Sequence, residues 1–224
     1  MLDRRLRIGI SASVLMLLLA GCMIAKGVVH TVGRGETFFG ICTSYGVDPQ
    51  EVAELNDIKD PASISAGKRL FIPGAAKRKK ISGKVVPASV ERNKEGKIVV
   101  EKDRFVWPVA GNLESKFGIR NGARHDGIDI AAPEGTPVTA SDDGTVVYES
   151  SELRGYGNVI IIKHKDDFYT VYAHNKKNNV NVNDRVKKGD VIASVGSTGN
   201  ATGSHLHFEV RQGKTVRNPL FYLP

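Results

Sequence analysis

The stretch GSHLHFEV, residues 203–210, combines the pattern of a half-buried strand with two closely spaced imidazoles. Side chains of a β-strand alternate between its two faces. One face therefore carries three apolar groups and is typical of a strand packed on a core: Leu206, Phe208 and Val210. The other face carries three groups that can bind a metal or move a proton: His205, His207 and Glu209. The stretch predicts both a β-rich core and a functional site.

The strand pattern extends over residues 105–224. Turn-forming segments such as DDG, GYG and KKGD separate short strand-like runs, and no long amphipathic helix pattern interrupts them. We therefore predict a mainly β domain, an antiparallel sandwich or barrel-like sheet. The predicted strands are residues 127–131, 136–140, 145–150, 159–164, 169–174, 190–195 and 206–211.

Other potential metal ligands and proton-transfer groups fall at strand positions of the same domain. HDGID places His125 and Asp129 four residues apart, on one face if the segment is extended. YAHN ends a strand at His174, which alternation places on the face of Tyr172. His164 precedes a charged turn, and we expect it at the surface.

Together these groups predict a catalytic metal centre. Zinc prefers imidazole nitrogen and carboxylate oxygen, and catalytic zinc sites use three protein ligands and keep one position open. Each histidine alone is as well explained by a structural role. The combined set is large enough for three ligands and two proton-transfer groups, although spacing alone does not decide which is which. The set is His125, Asp129, His174, His205 and His207.

A second, smaller unit spans residues 28–73 and has the predicted order β-α-α-β. The predicted elements are a strand at 30–32, helices at 37–46 and 48–55, and a return strand at 70–72. Cys42 lies on the apolar side of the first helix, and we expect a free, buried thiol.

The remaining segments of the chain indicate a secretory signal at the N-terminus and a linker between the two units. Residues 1–21 have the basic start and short apolar run of a secretory signal. The net charge of +8 is concentrated in residues 74–104, which carry +6, so we expect a basic linker and no nucleic-acid partner. Extended, that linker would reach roughly 100 Å. One hypothesis is that its KIVV segment, residues 97–100, adds a strand over the groove of the β domain.

Four resemblances to known families sharpen these expectations. LAGC, ending at Cys22, resembles a bacterial lipobox, which implies a lipid anchor on Cys22, and Met23 implies sorting to the outer membrane. TVGRGETFFGICTSYGV, LNDI and ISAGKRLFIP resemble the LysM domain, which binds glycans such as peptidoglycan. In that family the contacts would come from loops near residues 35–38 and 58–63.

The β domain resembles the lysostaphin/LytM-type zinc metallopeptidases. The motifs that carry this resemblance are HDGIDIAAPEGTPVTASDDGTVVYE, GYGNVIIIKH, TVYAHN and VKKGDVIASVGSTGNATGSHLHFEVR. The resemblance implies Zn²⁺ ligation by His125, Asp129 and His207, with His174 and His205 as the catalytic pair. No other cofactor is implied. The tyrosine that the lysostaphin branch carries shortly before its HxxxD motif is missing from KFGIRNGAR.

The order of segments resembles NlpD-like bacterial lipoproteins, and it leaves more than one function open. The complete ligand set favours a zinc endopeptidase that cuts peptide cross-links of peptidoglycan from the periplasmic side of the outer membrane. The alternative is a non-hydrolytic activator of cell-wall amidases in cell division, with an amidase as partner. A passive tether between membrane and cell wall would leave the five metal-type residues unexplained.

Overall fold

The structure is a computed structural model, and it describes residues 25–81 and 97–224. The expected signal sequence, Cys22 and residues 82–96 of the expected linker lie outside this range, so export and lipidation stay predictions. Within the described ranges, no helix is both long enough and apolar enough to cross a bilayer.

The N-terminal unit has the predicted β-α-α-β order. Strands β1 (Gly27–Thr31) and β2 (Arg69–Pro73) pair antiparallel. Helices α1 (Phe38–Tyr45) and α2 (Pro49–Leu55) lie between the two strands in the chain. The Thr37 hydroxyl caps α1 by accepting from the Gly40 N–H, and Gly46 ends the helix in the left-handed region at φ 70°. The predicted buried thiol is confirmed, because Cys42 is fully buried and free.

The C-terminal unit is almost entirely antiparallel β-structure, as predicted. Its twelve strands in the described residues are β3 (Asn112–Ser115), β4 (Gly118–Arg120), β5 (Ala123–His125), β6 (Ile128–Ala131), β7 (Pro137–Thr139), β8 (Gly144–Leu153), β9 (Gly157–Lys163), β10 (Phe168–Asn178), β11 (Arg185–Val186), β12 (Val191–Val195), β13 (His205–Gln212) and β14 (Thr215–Arg217).

Most of these strands form one branched, ten-stranded sheet. Its main order is β11-β8-β9-β10-β13-β6-β3, while β14 pairs with β13. The long strand β10 pairs with β13 along its first part and with β12 along its last part, and β12 pairs in turn with β7. The sheet therefore folds over on itself, and β4 and β5 form a separate hairpin beside it.

The core lies between the folded layers, where the apolar face of β13 packs. Leu206, Phe208 and Val210 are fully buried, as alternation predicted. The Phe208 ring packs at 5.4 Å, centroid to centroid, from that of Tyr172. Because this face of β13 is committed to the core, the imidazoles of His205 and His207 are held on the opposite face.

The expectation that His164 is exposed is wrong. Its side chain is buried, with Nδ1–H donating to the Asp143 carbonyl at 2.8 Å and Nε2 2.7 Å from the Thr170 hydroxyl. The Thr170 hydroxyl donates to the Tyr172 hydroxyl, which accepts from the main-chain N–H of Ser141. The charged turn after His164 suggested an exposed side chain, but His164 belongs to a buried polar network that links β10 to the neighbouring loops.

The hypothesis of an extra strand at residues 97–100 is also wrong. This segment has no strand structure and lies against α2 of the N-terminal unit. The Val99 main chain donates to and accepts from the Gln50 side-chain amide, at 2.8 and 3.0 Å. Ile98 packs against the cores of both units. The two units are therefore in direct contact, and the expected separation across an extended linker is not what the structure shows.

Candidate metal centre and its surroundings

Three of the predicted site residues meet at one point on the polar face of the sheet. His207 on β13 lies directly opposite Asp129 on β6, and their Nδ1 and Oδ1 atoms are 2.7 Å apart. His125, at the end of β5, brings its Nε2 to 3.1 Å from the same Asp129 oxygen and 3.3 Å from His207 Nδ1. The ligand atoms of all three lie within 4.8 Å of one another. Two imidazole nitrogens and a carboxylate oxygen fit a zinc ion.

The chain reaches this arrangement through a break between two strands. His125 and Asp129 belong to β5 and β6, which lie in different sheets, so the extended segment that the HxxxD spacing assumed is not present. Gly127 makes the break possible because its backbone passes close to β13. A Cβ atom there would lie 2.5 Å from the Phe208 carbonyl oxygen and 2.9 Å from the His207 ring, so any side chain would displace a neighbour.

Each histidine of the cluster is oriented by a hydrogen bond from its other ring nitrogen. His125 Nδ1–H donates to the Lys116 carbonyl at 2.8 Å. His207 Nε2–H donates to Glu209 Oε1 at 3.1 Å. Such partners fix the tautomer and ring direction of metal-binding histidines. The remaining nitrogens, Nε2 of His125 and Nδ1 of His207, both face Asp129.

Glu209 is completely buried and belongs to a charged network behind His207. Its carboxylate accepts from Arg211 at 2.7 Å and from the Tyr156 hydroxyl at 2.8 Å, and the Tyr156 ring meets His207 edge-on at 5.9 Å. Burial raises the pKa of Glu209, but the Arg211 charge and the His207 hydrogen bond outweigh it and bring the pKa down to about 2. Glu209 is therefore an ionised acceptor at neutral pH.

The electrostatics of the cluster favour a bound cation. Burial raises the pKa of Asp129, but hydrogen bonds from His125 and His207 outweigh burial and hold the pKa far below the usual range. Burial lowers the pKa of His207, while Asp129 and Glu209 outweigh it and raise the pKa to about 9. The imidazole of His207 lies between the half-buried Asp129 carboxylate and the fully buried Glu209 carboxylate, which marks a site where positive charge is stabilised.

The two histidines predicted as a catalytic pair stand beside this cluster. The His174 ring lies 4.9 Å from the His205 ring and 5.8 Å from the His207 ring, centroid to centroid. Both rings are held by main-chain acceptors: His174 Nδ1–H donates to the Thr198 carbonyl at 2.8 Å, and His205 Nδ1–H to the Gly203 carbonyl at 3.0 Å. In the neutral form, each therefore keeps Nε2 as a proton acceptor.

His174 reaches the site because β10 is irregular there. Its φ angle is 63°, and the pairing of β10 with β9 shifts register between Tyr172 and Asn175. The bulge turns the His174 side chain away from the face of Tyr172, where simple alternation had placed it, and toward the metal cluster. Burial and the neighbouring charge of His207 lower the pKa of His174 to about 4, so the ring is neutral at pH 7.

Several residues that contact the cluster were not predicted from the sequence. The Lys116 carbonyl accepts from His125 and the Tyr156 ring meets the His207 ring, while Arg211 acts indirectly through its ion pair with Glu209. Arg120 on β4 also approaches Asp129, with its Nη2 3.5 Å from Oδ2. Of these residues, only Arg211 could have been predicted to lie near the site, because strand alternation places it on the same face as His207 and Glu209.

The N-terminal unit carries a groove where the sequence placed glycan contacts. This groove of about 570 Å³ is lined by residues 36–39 and 59–62 with Ile64, and by Lys97 and Ile98 from the incoming linker. The predicted loops therefore face each other across it.

Comparison with known proteins agrees with the order of the two units. Residues 30–73 match the LysM domain, and residues 123–219 match peptidase family M23. The chain is 39% identical to the uncharacterized lipoprotein YgeR of Escherichia coli K12, over 93% of this chain and 89% of that protein. It is 35% identical to the lipoprotein NlpD/LppB homolog of Pseudomonas aeruginosa, over 87% and 76%.

Two further matches come from a named activator and a solved structure. Identity to the murein hydrolase activator NlpD of Salmonella dublin is 32%, over 88% of this chain and 68% of that protein. The catalytic domain of lysostaphin from Staphylococcus simulans is 34% identical, with a TM-score of 0.44, and the match covers 49% of this chain and 87% of that chain. Because its relatives are 32–39% identical over 68–89% of their own length, the chain belongs to the NlpD/YgeR-like lipoproteins, with a LysM domain and a peptidase M23 domain.

Proposed function

We propose that the protein is a zinc metalloendopeptidase that hydrolyses peptide cross-links of peptidoglycan. The observation that carries the proposal is the convergence of His125, Asp129 and His207 within 4.8 Å, with His174 and His205 against them. A chain that had lost the chemistry would have no need to keep both the ligand set and the pair of imidazoles. Family membership supports the same reaction class.

The proposed division of roles follows from the free ring nitrogens. His125, Asp129 and His207 hold Zn²⁺, which acts as a Lewis acid when it is bound. His174 is neutral at pH 7 and has Nε2 free, so it can take a proton from the attacking water. His205 lies beside it with Nε2 also available, and in its protonated form it can donate a hydrogen bond to the oxygen that gains charge.

The rest of the chain would bring this site to its substrate. The LysM domain docks on peptidoglycan glycan through the groove between residues 36–39 and 59–62. Acyl chains on Cys22 anchor the protein in the outer membrane and leave it facing the periplasm. We propose domain limits of 1–21 for the signal peptide, 28–73 for LysM, 74–104 for the linker and 105–224 for the peptidase.

The second candidate function is activation of a cell-wall amidase without hydrolysis. It is favoured by one specific observation: a relative that matches most of this chain is named a murein hydrolase activator. In that case the metal would hold the groove in shape, and a partner would bind there in place of a peptide.

One experiment separates the two functions. The mature protein from Cys22 onward, purified with and without Zn²⁺, is incubated with isolated peptidoglycan sacculi, and the released fragments are analysed by mass spectrometry. We expect cleaved cross-links that disappear in His205→Ala while zinc content stays at one per chain. Lys177→Ala, at an exposed position of β10, serves as the control and should cleave normally. Normal zinc content without cleavage, together with faster hydrolysis by an added amidase, would replace the peptidase by the activator.

A further inference from the structure

The LysM domain packs against the hairpin that carries the first metal ligand. Leu55, at the end of α2, is buried in the same apolar cluster as Phe117, which directly precedes β4. At Gly118, the first residue of β4, a Cβ atom would lie 3.1 Å from the Leu55 carbonyl oxygen. The end of α2 therefore touches the start of the β4–β5 hairpin, and β5 ends at His125.

A buried carboxylate fixes this contact. Glu54 is only 2% exposed, although it belongs to a helix of a small domain. Its Oε2 accepts from the main-chain N–H of Asn218 at 3.2 Å, and its own carbonyl accepts from the Asn218 side-chain amide at 3.1 Å. Arg217 lies 3.5 Å from Oε1. Since Asn218 and Arg217 belong to the peptidase domain, Glu54 has these partners only while the two domains are docked.

Two ion pairs flank the buried carboxylate. Asp57 pairs with Lys116 at 3.2 Å, and Glu51 pairs with Arg124 at 3.3 Å. The three acidic residues follow one another at intervals of three, which places Glu51 and Glu54 along one side of α2. This acidic seam, defined as Glu51, Glu54 and Asp57, meets basic residues of the peptidase domain.

The residues that receive the acidic seam also hold the metal ligand His125. The Lys116 carbonyl accepts the hydrogen bond from His125 Nδ1–H, while the Lys116 side chain pairs with Asp57. Arg124 directly precedes His125, and its guanidinium joins Glu51 to Asp126, which directly follows His125. The main chain around His125 is thus tied to the LysM domain on both sides.

We propose that the acidic seam of the LysM domain positions the metal site, because docking of α2 fixes the β4–β5 hairpin and with it the ring of His125. This inference rests on the metal site of the proposed function. It assigns positioning roles to Glu51, Glu54 and Asp57, which touch neither metal nor substrate. It also makes the LysM domain part of the catalytic unit as well as a glycan-binding module.

The test uses the mature chain and two readouts, of which the first needs no metal. Hydrogen exchange of the amides in residues 118–125 reports on the hairpin, and competition with a chelator reports on Zn²⁺ affinity. In Glu54→Lys we expect exchange in the hairpin to rise at least roughly tenfold and Zn²⁺ affinity to fall by roughly tenfold or more, as when a partner of a metal ligand is lost. Glu54→Gln keeps an acceptor for Asn218 and should stay close to wild type. Arg69→Glu, an exposed charge reversal on β2, is the control.

A milder pair of variants guards against loss of folding in Glu54→Lys. Asp57→Lys should raise hairpin exchange in the same direction, and the charge swap Asp57→Lys with Lys116→Asp should restore it. The proposal is overturned if exchange in residues 54–58 rises, showing undocking, while residues 118–125 and Zn²⁺ affinity stay unchanged. If the wild type binds no Zn²⁺, the proposed function fails. Hydrogen exchange in residues 118–125 still decides whether docking of the LysM domain fixes the β4–β5 hairpin.

Discussion

The hydrogen bond from His207 to Glu209 fixes the orientation of the His207 ring, and a single substitution at Glu209 tests its effect on Zn²⁺ affinity. Replacing the carboxylate in Glu209→Gln weakens the acceptor for His207 Nε2–H and removes the negative charge that pairs with the buried Arg211 at 2.7 Å. We expect Zn²⁺ affinity to fall by roughly 10–100-fold, measured by chelator competition. We also expect the free energy of unfolding to fall by about 3–5 kcal/mol.

Tyr156→Phe separates these two effects. It removes only the hydroxyl that donates to Glu209 and keeps the ring against His207. Because the lost hydrogen bond goes to a charged, buried carboxylate, the unfolding free energy should drop by about 1.5–3 kcal/mol, with Zn²⁺ bound nearly as tightly as in the wild type. A loss of affinity as large as that in Glu209→Gln would mean that the hydroxyl, and not the carboxylate, directs His207.

His164 makes folding stability depend on pH. Burial lowers its pKa below the ordinary value of 6.5, so the folded protein resists its protonation. Its contribution to stability is complete above the unfolded pKa and is lost as pH falls toward the lowered value, with a slope of at most about 1.4 kcal/mol per pH unit. Thermal melts at pH 7.5 and 5 should therefore show a larger loss for the wild type than for His164→Gln. Equal losses in the two proteins would exclude His164 as the source.

Among the elements, the long strands and both helices followed from the sequence, whereas the irregular connections did not. Period-two alternation in GSHLHFEV correctly separated Phe208 from His207, because β13 runs without a bulge. The same rule failed at His174, since one extra residue in β10 reverses the faces. The hairpin β4–β5 has three residues per strand, too few to show a period.

The candidate site could be predicted as a set of residues but not as a geometry. Strand placement and residue chemistry supplied the set of five residues, and the resemblance supplied the role of each. All five lie together in the structure. The orienting carbonyl of Lys116 could not be found, because main-chain acceptors leave no mark in a sequence. The docking of α2 could not be predicted either, because Glu54 and Asn218 are 164 residues apart and only the folded chain brings them together.

Gly127, at the break between β5 and β6, allows β6 to approach β13 closely, and a substitution there tests whether the site needs that approach. In Gly127→Ala the new methyl group would meet the Phe208 carbonyl and the His207 ring, so β6 and β13 must separate. We expect loss of stoichiometric Zn²⁺ binding and a lower melting temperature of the β domain, while the LysM domain keeps its helical circular dichroism.

A glycine in open space provides the matched control. At Gly203 an added Cβ would have no neighbour within 4 Å, so Gly203→Ala should keep zinc content and melting temperature. If Gly127→Ala also kept both, the β6–β13 approach would be less constrained than the distances indicate.

At the scale of the whole molecule, the chain is organised around the contact between its two domains. The LysM groove and the metal cluster lie on different domains, and α2 connects them through residues that neither function uses directly. If the two domains were joined only by a flexible tether, the proposed peptidase could act anywhere within reach of the proposed lipid anchor. Under the proposed function, a docked LysM domain would hold a bound glycan at a fixed position relative to the metal cluster, so the position of the cut peptide would depend on the bound glycan.

The buried Glu54 makes this docking sensitive to pH. Burial raises its pKa and Asp48 adds to the rise, while Gln50, Arg217 and Asn218 only partly offset it. The docked state therefore holds the Glu54 proton more tightly than the undocked state. Docking is strongest below the ordinary carboxyl pKa of about 4.3 and weakens as pH rises through the raised value.

We therefore expect amides of the β4–β5 hairpin to be better protected at pH 5 than at pH 7.5, after correction for the intrinsic exchange rate. The comparison with Glu54→Gln isolates the effect, because position 54 is the only difference between the two proteins. In that variant the difference between the two pH values should shrink, since the amide cannot ionise. An unchanged difference would mean that other groups set the pH dependence, and protection that rises with pH only in the wild type would reverse the assigned sign.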